Sequence, residues 1–431
     1  MVDAWLPYGK SQVCVRIPTR NFLGSIEPKE KPGVLDPRAE IERALKEPLG
    51  SKKLNEIVKP ESRVAIVVDD VAISAPTDLM VPPLLDKLNN EGVKDENVTI
   101  IFACGIHGAV KPEEAVMLLG ESVHNRVRTV IHDMKAEDLV QVGTTQKHGT
   151  KVFLNHAFTG ADVRILTGDI GLHYFAGYEG GRQSVLPGIS GEETVRHNHA
   201  LLLDPNARTG MLVENPVHQD MVEAAAMARV DFALNVVMNS KRELVRAFAG
   251  GLEQVFSEGV KLVDEMYRVQ VDRRADIVVV SPGGDPADVN LFHAYQSVDN
   301  ALEVVKRGGV IILLAELPKG HGNQDFYEWM TKFPDLKAVE REIKHNFALG
   351  GSMAYYYMKA LQKARMILVS SMPDYYAANV FKLKTARAVN DALNEAMNIV
   401  GKNAKVWTLP YGNYTLPEVK TVEEQGGITA S

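Results

Sequence analysis

The chain has 431 residues, of which 45% are hydrophobic and 24% charged, and its formal net charge is −7. That length exceeds one compact core and predicts two domains, and with no basic stripe a nucleic-acid partner is not expected. Cys14 and Cys104 lie far apart and support neither a disulfide framework nor a cysteine zinc site, which suits a reducing compartment. Met1 to Trp5 lacks the basic-then-apolar pattern of an export signal, and no run of about 18 apolar residues follows, so the expected setting is the cytoplasm, without membrane association.

In chain order, the alternation of Val13, Val15 and Ile17 predicts a half-exposed strand. Val64 to Val68 is a continuous apolar run, which predicts a buried parallel strand ending in Asp69-Asp70. Pro82-Pro83 is read as the start of a helix through Asn90. Val98 to Ala103 predicts a second buried strand, ending in Cys104-Gly105-Ile106-His107-Gly108. Val163 to Leu166 predicts a third, Asp231 to Met238 a fourth, and Leu252 to Tyr267 a long helix. From Asp276 the pattern restarts: a strand over Ile277 to Val280, the turn Ser281-Pro282-Gly283-Gly284, a helix from Ser297 to Arg307 capped by Gly308-Gly309, and a strand over Val310 to Leu314. Val389, Leu393, Ala396, Met397 and Val400 form a helical stripe, and Val406 to Leu409 a last strand.

Strand, turn and helix in alternation predict an α/β fold of two domains, each a mostly parallel sheet flanked by helices, with the site in the interdomain cleft. The expected boundaries are 1–269 for a first domain carrying cofactor and catalytic histidines and 270–405 for a second contributing substrate contacts. Residues 406–431 form a tail that returns to the first.

Chemistry concentrates after the third strand, in Thr167-Gly168-Asp169-Ile170-Gly171-Leu172-His173-Tyr174-Phe175-Ala176-Gly177-Tyr178-Glu179-Gly180-Gly181-Arg182-Gln183-Ser184. Open α/β sheets place ligands beyond the carboxyl ends of their strands. Gly177, Gly180 and Gly181 would let backbone N–H groups approach an anion, and Arg182 would add positive charge. His107 and His173 occupy glycine-flanked turns after different buried strands. Two imidazoles facing one ligand can remove a proton on one side and deliver one on the other, which suits stereochemical inversion. His197 and His199 would point about 200° apart on a helix, so one of them at most can serve a metal. No Gly-x-Gly-x-x-Gly with a following acid is present, which sets aside a NAD-dependent dehydrogenase.

These motifs resemble those of the lactate racemase-like family, the nickel-pincer-nucleotide enzymes. The resemblance runs from about Val64 to Leu409-Pro410-Tyr411-Gly412 and rests on the histidine, the Phe175-Ala176-Gly177 turn, the Gly180-Gly181 pair and Pro187-Gly188. It implies His107 and His173 as the acid/base pair of a 2-hydroxy acid racemase or epimerase, His199 as the nickel-binding histidine, and Asp70 and the glycine turn among the cofactor-binding residues. It also implies the cofactor, a pyridinium-3,5-bisthiocarboxylic acid mononucleotide carrying nickel, which accepts hydride from C2 and returns it. Proteins of cofactor biosynthesis would be partners.

The chain departs from the family at the positions that attach the cofactor and read the substrate. Gln183 stands where the family has a lysine that forms a thioamide with the cofactor, so noncovalent binding is expected. After Asp69-Asp70 the family's Thr-Arg-Pro is replaced by Val71-Ala72-Ile73-Ser74-Ala75-Pro76-Thr77. In the second domain the motif following Asn290-Leu291 carries Phe292, His293 and Gln296 in place of tyrosine-glutamine and lysine. Loss of two cationic anchors, with neutral His293 and Gln296 as substrate-binding groups, points to a hydroxyl-rich sugar acid more than to lactate. The alternative is a non-catalytic ligand-binding or regulatory homologue that has lost the cofactor.

Overall fold

Apolar runs too continuous to leave one face wet require cover on both sides, and they become the parallel strands of two layered sheets. The computed structural model describes residues 1–70, 75–345 and 347–420. The chain divides into two units, Lys31–Asp264 and Met1–Glu30 with Glu265–Ser431. The substituted run Val71-Ala72-Ile73-Ser74 lies outside the described residues.

The first thirty residues supply β1 (Val2–Tyr8), β2 (Ser11–Ile17) and β3 (Phe22–Ser25), with β1 and β2 paired antiparallel, Val2 opposite Ile17. Lys31–Asp264 then contains α1 (Pro37–Lys46), β4 (Val64–Asp69), α2 (Thr77–Asn90), β5 (Val98–Ala103), α3 (Pro112–His124) and β6 (Arg128–Ile131). The hairpin β7 (Val140–Thr144) and β8 (Lys151–Leu154) follows, then β9 (Val163–Asp169) and the short pair β10 (Leu172–His173) and β11 (Gly177–Tyr178). The unit closes with α4 (Glu192–Ala200), α5 (Pro216–Ala228), β12 (Phe232–Met238), β13 (Leu244–Gly250) and most of α6 (Leu252–Tyr267). Its sheet has the order β13-β12-β9-β4-β5-β6, parallel except for the β12–β13 pair. Val64, Ile66, Val68, Ile100, Phe102, Ile165 and Leu234 form one core with Ile41, Leu45, Leu84, Leu85 and Leu119 from α1, α2 and α3.

The other unit contains β14 (Arg268–Val271), β15 (Ala275–Val280), α7 (Leu291–Leu302), β16 (Val305–Leu314), α8 (Gln324–Lys332), α9 (Leu336–His345), α10 (Leu349–Lys363) and β17 (Arg365–Val369). It ends with β18 (Lys384–Thr385), α11 (Val389–Val400), β19 (Val406–Leu409) and β20 (Leu416–Val419). Its main sheet is wholly parallel, in the order β18-β17-β16-β15-β19-β3. Leu6, Val15 and Ile17 of the N-terminal hairpin share its core with Val389, Leu393 and Ala396 of α11. The first thirty residues therefore belong with the C-terminal half, because β3 completes the edge of its sheet beside β19. Val406–Leu409 is likewise an interior strand there and no returning tail.

Two local expectations shift. Helix α2 begins at Thr77, with Pro82 and Pro83 inside it. Gly308-Gly309 caps no helix: α7 ends at Leu302, and the glycines lie within β16, where a side chain on Gly309 would meet the Asp276 carbonyl at 2.7 Å. Among the described residues no helix is long and apolar enough to cross a membrane.

Candidate active site

Because β4, β5 and β9 run parallel, their carboxyl ends share one edge of the sheet, and the turns leaving them carry Asp70, His107 and His173. Asp70 follows β4 and is buried; its Oδ2 lies 3.0 Å from His107 Nδ1. With a carboxylate as acceptor, Nδ1 carries the proton and Nε2 the lone pair. The His107 turn closes through its amide on the Cys104 carbonyl, at 2.8 Å, and Gly105, at φ +47°, donates to the Gly188 carbonyl at 3.0 Å.

His173 pairs with Gly177 across the β10–β11 ladder. Its Nδ1 accepts from the amides of Ala176, at 3.1 Å, and Phe175, at 3.4 Å, so the neutral ring carries hydrogen on Nε2. The two rings thus hold opposite tautomers. His173 is half-buried by area yet recessed, and burial, then the charges of Arg182, His199 and His107, push it down to about 3.

His199 lies on α4 and is 1% exposed, whereas His197 on the opposite side of that helix faces solvent. Burial and then the charge of His107 push His199 down to about 3, opposed by the nearby Val195 carbonyl one turn back. The Phe175 ring stands between the two histidines, its centroid 4.5 Å from that of His173 and 5.2 Å from that of His199. His107, His173 and His199 therefore belong to one electrostatic neighbourhood within a single unit.

The glycine turn differs from its sequence reading. Gly177, Gly180 and Gly181 have φ of +82°, +81° and +55°, and side chains there would meet the Met211 carbonyl at 2.1 Å, the Asp169 carbonyl at 2.0 Å and the Phe256 ring at 2.9 Å. Their bare sides face protein, so close packing of the turn is what demands glycine. The Gly180 amide donates to Gln183 Oε1 at 3.1 Å, so Gln183 closes its own turn. Arg182 is buried and its guanidinium donates to the carbonyls of Ala176, Tyr178 and Gly180 and to His218 Nδ1, and it lies 4.4 Å over the Phe256 ring. Four of its five donors are thereby committed to protein, and it acts as a staple for the turn instead of a counter-ion for phosphate.

Glu179, a poor neighbour for an anion if ionised, is pushed well up by burial and then by Asp169 and Asp69. Asp69 is likewise raised by burial, and burial lifts Asp169 to about 6 despite the opposing charge of Arg242. The carboxyls nearest the turn are thus held toward their neutral forms.

In the other unit, Asn290 caps α7, its Oδ1 accepting from the His293 amide at 2.9 Å and lying 2.9 Å from His293 Nδ1. Gln296 donates to Asn300 Oδ1 at 3.1 Å. Sequence reasoning missed His218, Asn215, Asn198 and Asp220. Asn215 before Pro216 is a readable helix cap, whereas the other three gain meaning only from what the fold packs against them.

Residues 8–210 match the model of the lactate racemase N-terminal domain and residues 270–415 that of the lactate racemase C-terminal domain. The chain is 31% identical to the lactate racemase of Thermoanaerobacterium thermosaccharolyticum over 96% of its length and 98% of that protein's. It is 30% identical to the lactate racemase of Lactiplantibacillus plantarum over 96% and 99%. The structure of the T. thermosaccharolyticum lactate racemase apoprotein superposes with a TM-score of 0.90 at 30% identity, covering 97% of this chain and all of that one. A Thermotoga maritima protein of 20% identity shares the fold, with a TM-score of 0.64. The chain belongs to the lactate racemase family, a family of isomerases.

Proposed function

We propose that this protein inverts the C2 centre of a 2-hydroxy acid, a sugar acid rather than lactate, in the cytoplasm, using His107 and His173 as its two acid/base groups. The observation that supports this reading is the gathering of three histidines in one neighbourhood, two of them in complementary tautomers.

The donor set fits a nickel-pincer nucleotide held noncovalently and delivered by the proteins that make it. His199 is a buried imidazole kept neutral at physiological pH, the form that ligates nickel, and its ring packs against that of Phe175. The turn around Gln183 and the Asp70 end of β4 would flank the nucleotide. Gln183 does not fit covalent attachment, since an amide offers no amine. When bound, this group supplies the reversible uptake of hydride at C2, chemistry that side chains lack.

His107, with Nδ1–H on Asp70, presents Nε2 as the base for the substrate hydroxyl. His173 starts as an Nε2–H donor toward a ligand oxygen. Full proton delivery needs its imidazolium, which burial and the two amides oppose and which an anionic substrate would favour. His293, held by the α7 cap Asn290, and Gln296, held by Asn300 of α7, are hydrogen-bonding groups suited to pairing with hydroxyls.

The test is C2 inversion, followed by NMR, with cofactor-loaded protein on lactate and on a panel of aldonates. A higher kcat/KM for an aldonate is expected, and a preference for lactate would refute the substrate assignment. Denaturing mass spectrometry should show the unmodified chain where native mass spectrometry shows the complex. A protein that binds an aldonate without nickel, cofactor or turnover would instead be a regulatory homologue, a reading that the use of Gln183 as a turn brace favours.

A further inference from the structure

Helix α5 carries three polar anchors at its cap and first two turns, Asn215 and Asp220 buried and His218 half-buried, and they reach both halves of the histidine site. Asn215, the cap of α5, donates to the carbonyls of Phe175, at 2.8 Å, and Met211, at 3.1 Å, which ties down the segment after His173. His218 Nδ1 accepts from Arg182 Nε at 3.1 Å, and Arg182 in turn grips the Ala176, Tyr178 and Gly180 carbonyls. Asp220, fully buried, accepts at Oδ1 from the Thr145 hydroxyl, at 2.6 Å, and at Oδ2 from the Thr150 hydroxyl and Asn198 Nδ2, both at 2.9 Å. Asn198 also donates to the Val217 carbonyl of α5 at 3.1 Å, and it immediately precedes His199 on α4.

A carboxylate with no exposure is costly to bury, and here it is satisfied by three donors drawn from two other elements. The hydroxyls come from the turn that joins β7 to β8 and the amide from α4, so the carboxylate fixes α4 in rotation and height. Since Asn198 is the neighbour of His199, any slip of this contact moves the His199 ring.

We propose that α5 is the positioning element of the site: Asp220, through Asn198, sets His199, while Asn215 and the His218–Arg182 pair set the turn of His173. The two histidines are thereby referenced to one rigid helix. Asp220 is a positioning residue that touches neither substrate nor metal. The proposal rests on the reading of His199 as a site residue, but its test requires no turnover.

Two variants each remove one hydrogen bond from the same carboxylate. Asn198→Ala cuts the link to α4, and Thr150→Val cuts a link to the hairpin. Mass-spectrometric mapping of diethylpyrocarbonate modification, with hydrogen exchange over residues 192–200, reads the exposure of His199 in the apoprotein. Asn198→Ala should raise modification of His199 by roughly 10- to 100-fold, the factor expected when a charged hydrogen bond closing a local unit is lost. Thr150→Val should lower the melting temperature comparably and leave His199 protected, and exposed His156 reports the reagent in both. Equal effects of the two variants on His199, or no effect of either, would overturn the proposal. In loaded enzyme, Asn198→Ala should reduce kcat with little change in KM.

Discussion

Replacing Gly177 with alanine isolates how tightly the His173 turn is built. At φ +82° an L-residue costs about 1–2 kcal/mol, and the new Cβ would lie 2.1 Å from the Met211 carbonyl oxygen, a backbone atom that cannot rotate away. Relief requires a backbone shift on the order of 1 Å, which adds about 1–3 kcal/mol of overpacking. The sum, about 2–5 kcal/mol, corresponds to a fall in melting temperature of roughly 5–15 °C for a unit the size of Lys31–Asp264. Gly149→Ala is the matched control: its φ is +72° with nothing within 4 Å of the added methyl, so only the backbone penalty applies, roughly 2–6 °C. Because Gly177 pairs directly with His173, the displacement should also cost about 10²-fold in kcat. Differential scanning calorimetry and steady-state inversion kinetics measure both. Equal thermal losses in the two variants, with full activity in Gly177→Ala, would refute the packing argument.

Asp70→Asn lets an amide N–H face His107 Nδ1 and favours the wrong tautomer, so kcat should drop by about 10³-fold or more with KM nearly unchanged; a loss confined to KM in polarimetric assays would count against His107 as base. Asp169, lifted by burial to about 6 from its ordinary 3.8, penalises folding once ionised, so Asp169→Asn should stabilise the protein at pH 7 by on the order of 1–3 kcal/mol. That gain should fade as pH falls from 6 toward 4 in urea titrations, and a pH-independent difference would contradict it. His199 has the opposite sign: held down to about 3 when folded and near 6.5 when unfolded, it contributes stability above pH 6.5 that is lost as pH falls toward 3. His199→Asn should therefore flatten the acid limb of the stability profile. Gln183→Lys should cost about 0.5–1.5 kcal/mol through loss of the Gly180 amide contact, and in the presence of the nucleotide it should gain a covalent adduct that survives denaturing mass spectrometry.

How much of this was legible in the sequence follows from the range of the interactions involved. Buried parallel strands declare themselves locally, because both faces need apolar cover, and Val64 to Val68, Val98 to Ala103 and Val163 to Leu166 all form where the runs lie. The turns after them had to share an edge once the strands were parallel, which is why His107 and His173 could be assigned together. What depended on distant partners was out of reach. The N-terminal residues join the C-terminal unit through β3 and β19, a pairing between segments nearly a whole chain apart with no local signal. Arg182 and the glycines beside it looked like an anion cradle because positive charge and missing side chains are its usual marks. The same residue types serve equally when a turn is pressed against backbone carbonyls, and only the atoms they meet distinguish the two. Asp220 makes the point from the other side. An acid following His218-Gln219 on a surface-like stretch of helix carries no local sign of burial, yet its three donors come from residues 145, 150 and 198, two of them from a hairpin far upstream. Motifs therefore show which groups do the chemistry, whereas the groups that hold them in place emerge only after the fold has chosen their neighbours.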